Sequence, residues 1–298
     1  MSKIDVVDMV DKHLVGKNTT RRELRDSRQV GRYWPSEASI QFTNQYGETE
    51  TCGKCARCIY YSITDGCPTN PPDAVGIRKM RAGNLFEDEE RRIGEEMGII
   101  IKEDDFRRRF KKQLDNGITI SGEIDVLYNF DGKYYIGEIK SGYGYMFGRD
   151  IIKYGKPKDV HIMQLAIYLD AFKDKVKGGI LLYIDRGDAT KRAFEVNLLE
   201  NGLITIDGTV HQTVTLSRIY DRIKYVHKCM MEGKAPKGDY TPHYSPATIE
   251  HRFNQGRVPK THYNNYKKGK RAWIGDFYCH YCDYLQKCLD ERGFRDDL

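Results

Sequence analysis

Apolar positions recur along the chain with two periods, and the switches between them lay out the elements. Ile4, Val7, Val10 and Leu14 mark a short amphipathic helix, and a polar, Arg-rich stretch follows it to residue 35. Residues 36–78 carry cysteines punctuated by Gly and Pro, and Gly83 to Met97 reads as a charged helix. From residue 106 the period becomes two: FRRRFKKQL, ITISGEIDVLYNF and KYYIGEIK each predict a strand. HIMQLAIYLDAFKDK (161–175) then places Ile162, Leu165, Ala166 and Leu169 on one helical face, and GGILLYIDR (178–186) is the strand after it. AFEVNL and HQTVTL predict a further strand pair, and a long helix follows on Leu216, Ile219, Ile223 and Val226. Strands followed by helix and strand again give an α/β core with a mixed sheet. Nothing in the pattern reads as an interdomain linker. The expected organisation is an N-terminal arm over 1–35 and one domain over 36–298.

The pair KYYIGEIK and GEIDVLYNF is the most informative part of this pattern. Asp131-Gly132 between them is a two-residue turn whose central positions both need positive φ. With that loop, Phe130 faces Lys133 and Asp125 lies opposite Glu138. Alternation adds Lys140 to the same face. Leu127 and Ile136 share this face, while Ile124, Val126, Tyr128, Tyr135 and Ile139 take the other, so both sides carry apolar residues. Two carboxylates about 5 Å apart at an effective dielectric near 20 repel by roughly 3 kcal/mol. A bound divalent cation removes that cost, and hard oxygen ligands favour Mg²⁺ or Mn²⁺.

Composition narrows the setting. The chain has 298 residues, of which 39% are apolar and 31% charged, with no apolar run of membrane-spanning length and an acid-bearing N-terminus. These features exclude a membrane protein and predict an intracellular, cytoplasmic one. Net charge is +6, unevenly spread. Residues 251–271 hold Lys and Arg without acids, interleaved with Phe253, Tyr263 and Tyr266 and followed by Trp273, a composition suited to phosphate neutralisation and base stacking. Of the eight cysteines, Cys52, Cys55, Cys58 and Cys67 come early and Cys279, Cys282 and Cys288 late. In an intracellular chain they point to metal rather than disulfides. Cys229, alone in a helical pattern, reads as a core residue.

The order D-x12-E-x-K, as Asp125, Glu138 and Lys140, resembles motifs II and III of the PD-(D/E)xK nucleases, although the proline of that name is absent. More narrowly, the chain is similar to the RecB-like branch that includes the CRISPR-associated single-strand exonucleases. Gln164 and Tyr168 match the Q-x-x-x-Y that this branch carries after the active-site hairpin, and their spacing puts both on one helical face. GNLFE places Glu87 where the family offers a metal-binding histidine, with Glu90 as the alternative one turn later. CARCIYY resembles the segment around the family's lone upstream cysteine, which selects Cys55, and FYCHYCDYLQKC supplies Cys279, Cys282 and Cys288.

The resemblance implies a restriction-endonuclease-like mixed sheet flanked by helices, with a cysteine-ligated clasp joining the two ends of the chain. It implies Glu87, Asp125 and Glu138 as ligands of Mg²⁺ or Mn²⁺, Lys140 as the charged assistant, and Gln164 and Tyr168 as positioning groups. It also implies a 4Fe-4S cluster on Cys55, Cys279, Cys282 and Cys288. Cys52, Cys58 or Cys67 is an alternative fourth ligand, and zinc, with His280 completing the late group, is an alternative metal. The expected activity is hydrolysis of DNA, preferentially at single-stranded ends. An endonuclease or nickase, or a DNA-binding adaptor that works with protein partners, is the competing expectation.

Overall fold

Positive φ at both Asp131 (52°) and Gly132 (79°) closes the expected tight turn. The strands beside it, β6 (Val126–Phe130) and β7 (Lys133–Gly142), pair from Phe130 with Lys133 to Val126 with Gly137. This is the register read from the sequence. The computed structural model describes residues 6–23, 29–102, 107–270 and 274–292, the side chains of 18–23 excepted. The expected strand start at Phe106 and the basic stretch's Arg271 and Trp273 lie outside the described residues.

Before the hairpin come α1 (Val6–Glu23), β1 (Arg32–Tyr33), β2 (Ser39–Thr43), β3 (Thr49–Gly53), α2 (Ala56–Thr64), α3 (Ala74–Glu96), β4 (Arg109–Gln113) and β5 (Thr119–Glu123). After it come the turn α4 (Tyr145–Phe147), which continues into a π-helix over Gly148–Lys153, then α5 (Asp159–Ala171), β8 (Gly178–Asp185), β9 (Lys191–Leu198), β10 (Leu203–Ile206) and β11 (Thr209–Thr215). The chain closes with α6 (Leu216–Met231), α7 (Pro246–Asn254), α8 (Lys260–Lys267), α9 (Phe277–His280) and α10 (Leu285–Arg292). Among the described residues the strands form a mixed sheet in the order β11-β10-β9-β8-β7-β6, a three-stranded sheet β1-β5-β4, and the hairpin β2-β3. Within the large sheet β7 and β8 run parallel, joined by the α5 crossover, and the other pairs are antiparallel.

One expectation fails where it matters. ITISGEIDVLYNF is not a single strand: it leaves one sheet after Glu123 and enters the other at Val126. β5 is claimed by β4 and β1, so the alternation breaks at Ile124-Asp125. Ile124 consequently packs in the cluster of Leu127 and Ile136, not with Val126, Tyr128 and Ile139. The end of the expected arm is also woven into the domain, because β1 pairs with β5 and Tyr33 is buried in the core.

The large sheet is covered on both faces. α5 packs in the cluster of Leu127, Ile136 and Leu181, and besides the four expected residues it also buries Met163 and Ile167, so it is apolar nearly all round. On the other face, Phe86 of α3 packs in the cluster of Val126, Tyr128, Ile139 and Ile184. No helix among the described residues is long and apolar enough to cross a membrane.

Candidate active site

The break at Ile124-Asp125 creates the site. Pairing between β6 and β7 ends at Gly137, so beyond it the β7 backbone needs another partner on that side. Asp125 supplies it: its Oδ2 accepts a hydrogen bond from Ile139 N at 2.9 Å, which fixes the carboxylate beside Glu138 and Lys140. Arg108 in turn donates to the Asp125 carbonyl at 2.7 Å. Beside Asp125 an open cleft of about 360 Å³ is lined by Arg91, Arg92 and Arg108 together with the acids Asp88 and Glu95.

Glu138 is fully buried, and Lys140 Nζ stands 2.5 Å from its Oε1 and 3.7 Å from Asp125 Oδ2. The carboxylate repulsion expected from the hairpin geometry is thus offset by the lysine, without a cation. The Lys140 contact lacks hydrogen-bond alignment, and both Glu138 carboxylate oxygens are buried without hydrogen-bond partners. Burial, with Asp125 nearby, pushes Glu138 up to about 8. Burial disfavours the Lys140 ammonium, but Glu138 and Asp125 outweigh it and its pKa rises. A buried acid with unsatisfied oxygens beside a second carboxylate is a donor set that fits a hard divalent cation.

Glu87 on α3 joins this field. Burial raises its pKa, Lys140 opposes the shift and Asp125 adds to it. Glu90, by contrast, forms an ion pair with Lys191 and is turned elsewhere. From α5, Gln164 Nε2 donates to the Tyr168 hydroxyl at 3.0 Å, and the Tyr168 pKa is raised by burial and then by Glu138. All six expected residues of this group therefore meet at one place in the fold.

His161, one turn before Gln164, was not singled out in the sequence. His161 Nδ1 lies 2.9 Å from the Tyr183 hydroxyl, which also accepts from Lys158 N at 3.0 Å. Burial, then the Lys140 and Lys158 charges, bring its pKa down to about 3. A depressed pKa means that stability present above the unfolded value of 6.5 is lost as pH falls through the window down to about 3. His161→Gln is expected to flatten the slope of unfolding free energy against pH in that window. Denaturant titrations at stepped pH would detect it, and an unchanged slope would show that His161 titrates normally.

The late and early cysteines also meet, with a difference from expectation. Cys58, Tyr61 and Tyr284 form a buried cluster against which Cys55, Cys282 and Cys288 pack. Cys58 donates to the Cys282 thiol, which with burial keeps Cys58 protonated and lowers Cys282 to about 7. Burial raises Cys55 to about 11 and raises Cys279 as well, with Cys55, Cys282 and Cys288 adding to the latter shift. Cys52 packs against the main core and Cys67 is exposed, so neither belongs to this group. Among the described residues no three His, Cys, Asp or Glu side chains form a ready-made metal cage, here or at Glu138.

The basic stretch 251–271 is largely engaged within the protein. Phe253 and Tyr263 stack on each other at 3.9 Å. Arg252 donates to the Tyr244 hydroxyl at 2.7 Å, Arg257 pairs with Glu48 at 2.5 Å, and Lys267 pairs with Glu250. Lys260, Lys268 and Lys270 remain on the surface.

No curated protein matches the chain. Among solved structures, the crystal structure of SSO0001 aligns at 14% identity over 84% of this chain and 96% of that one, with a TM-score of 0.44. An alkaline exonuclease (LHK-Exo) from Laribacter hongkongensis aligns at 14% identity over 59% of this chain and 73% of that one, with a TM-score of 0.30. The profile of the PD-(D/E)XK nuclease superfamily matches residues 72–289, a span that contains Glu87, Asp125, Glu138, Lys140, Gln164 and Tyr168. With well over half of its length matched, the chain belongs to the PD-(D/E)XK nuclease superfamily.

Proposed function

We propose that this protein is a Mg²⁺- or Mn²⁺-dependent deoxyribonuclease of the RecB-like branch, related to the CRISPR-associated exonucleases and acting on single-stranded ends. The observation that carries the reading is Glu138: fully buried, short of hydrogen bonds, and set against Asp125 and Lys140 in a nuclease-family chain. A structural carboxylate in that position would be costly. Glu87, Asp125 and Glu138 would hold the cation, which when bound polarises a phosphoryl oxygen and acidifies a water.

The chain's own groups do the rest. Lys140 supplies a positive charge toward the scissile phosphate. Tyr168 is held by Gln164 and lies close enough to Glu138 for that carboxylate's charge to act on its hydroxyl.

The same reading assigns Cys55, Cys279, Cys282 and Cys288 to a 4Fe-4S cluster that staples α2 to the C-terminal segment. Thiol donors gathered from both ends of the chain suit that group, and Cys58, in contact with Cys282, is the competing fourth ligand. Cluster-loaded protein is expected to be brown, with broad visible absorbance and bound iron. Colourless protein containing zinc would exclude iron-sulfur.

The activity is tested by incubating end-labelled single-stranded and duplex DNA with the protein and Mg²⁺ or Mn²⁺, beside Lys140→Ala. The expected result is stepwise shortening of the single strand, slowed about 10²- to 10³-fold in the variant. Equal digestion by both proteins, or none by either, would sink the enzymatic reading.

A further inference from the structure

Immediately after Lys140 the strand runs into Ser141-Gly142-Tyr143-Gly144-Tyr145, a segment outside the Asp125–Glu138–Lys140 group. It is firmly anchored yet turns large aromatic rings to solvent. A side chain on Gly142 would strike the Phe147 ring, so the glycine lets buried Phe147 lie flat on the strand. Gly144, at φ +96°, then reverses the chain. Phe147 and Ile151 are buried below, while Tyr143 is 54%, Tyr145 77% and Tyr154 56% exposed. Exposed apolar residues standing together on an ordered base mark a binding surface.

Cations flank these rings. Lys79 Nζ and the Arg186 guanidinium lie 6.0 and 5.0 Å from the Tyr143 ring centre, and the Arg149 guanidinium lies 5.4 Å from that of Tyr145. Arg149 is shared with Asp150, whereas no carboxylate pairs with Lys79 or Arg186 among the described residues. The surface is continuous with the active site. Lys79, Gly83 and Glu87 follow one face of α3 at four-residue steps and run against β7: Glu87 senses Lys140, Gly83 lies by Ser141, and Lys79 lies by Tyr143. At the rise of a strand, Tyr143 stands roughly 10 Å beyond Lys140, a span of a few nucleotides.

Aromatic rings with adjacent cations match unpaired bases with adjacent phosphates. In a duplex the bases are stacked on one another and their faces are closed to such rings. We infer that Tyr143 and Tyr145 form a stacking platform that receives the unpaired bases of a single strand whose backbone lies at the Asp125–Glu138–Lys140 site. This inference rests on the nuclease reading and supplies its preference for single strands.

The test is fluorescence anisotropy of a labelled oligothymidylate strand against the full-length protein in EDTA, where binding is read without hydrolysis. Tyr143→Ala/Tyr145→Ala is expected to weaken binding at least tenfold, and Tyr143→Phe/Tyr145→Phe to stay within about twofold, because the ring and not the hydroxyl stacks. A duplex of the same length is expected to respond less. Unchanged strand affinity in the alanine variant, with its melting temperature intact, would overturn the platform, as would the absence of saturable binding by the wild type. So would a shift from dimer to monomer in sedimentation with strand affinity unchanged, which would make the patch a contact between two copies. Failure of the nuclease reading registers elsewhere, as no cleavage by wild-type protein with Mg²⁺ or Mn²⁺.

Discussion

Glu138→Gln is expected to lower DNA cleavage by about 10³-fold while costing the metal-free protein little stability near pH 6. Glutamine keeps the shape of the buried acid but cannot become the carboxylate that would bind the cation. Stability should change little because burial holds Glu138 up at about 8, so the acid is already largely protonated there. The sign of the pH effect follows. With a folded pKa above the unfolded value of 4.5, Glu138 contributes stability that is complete below pH 4.5 and is lost as pH rises through about 8. The variant lacks that loss, so its stability relative to wild type should improve from pH 5 to pH 8.5 without metal. Denaturant unfolding at the two pH values and a cleavage assay with Mn²⁺ check both halves. Retained activity, or a stability deficit equal at both pH values, would refute the assignment.

Asp239→Ala is expected to destabilise the fold by about 3–5 kcal/mol, the largest stability effect of any single side chain considered. Asp239 is nearly buried and takes two hydrogen bonds from Arg222 Nη2, at 2.8 and 2.7 Å, one from Gln41 at 3.1 Å and one from Ala56 N at 2.6 Å. The last caps α2, whose own N-cap residue Cys55 provides no side-chain bond. Alanine would strand the buried Arg222 charge and free the end of α2, loosening Cys55 and Cys58 against the C-terminal segment. Asp239→Leu combined with Arg222→Met should recover part of the loss, since removing both charges avoids the unpaired one. Equilibrium unfolding of the two variants decides it. A deficit below about 1 kcal/mol for Asp239→Ala would mean that the pair stabilises nothing.

The contrast between these two residues shows what the sequence made legible. Glu138 could be placed because its position follows from local rules: a turn needing positive φ, then strict alternation away from it. The same rules reach Asp125 by count but not by structure, since alternation continues unbroken through Ile124 while the chain changes sheets. That break depends on β4 and β1 pairing with β5, and nothing near Ile124 encodes it. Asp239 was invisible for a related reason, because its partners lie between 17 and 198 residues away. β10 is different. Asn201-Gly202 and Asp207-Gly208 are turn signals of the kind used at Asp131, and Gly202, Asp207 and Gly208 all have positive φ. The strand between them was legible and was missed. The hairpin β2-β3 hid behind polar Thr and Glu residues on its wet side.

β7 links three things in linear order: the turn at Asp131-Gly132 that precedes it, the acid-lysine pair within it, and the tyrosines that follow Gly142. The strand is therefore a ruler, and its unit is one residue. A single insertion or deletion between Lys140 and Gly142 would flip the face of the strand's last residues and shift the exit toward Tyr143 while leaving Glu138 and Lys140 where they are. Length change over these residues should accordingly be disfavoured, the reverse of what a surface loop permits.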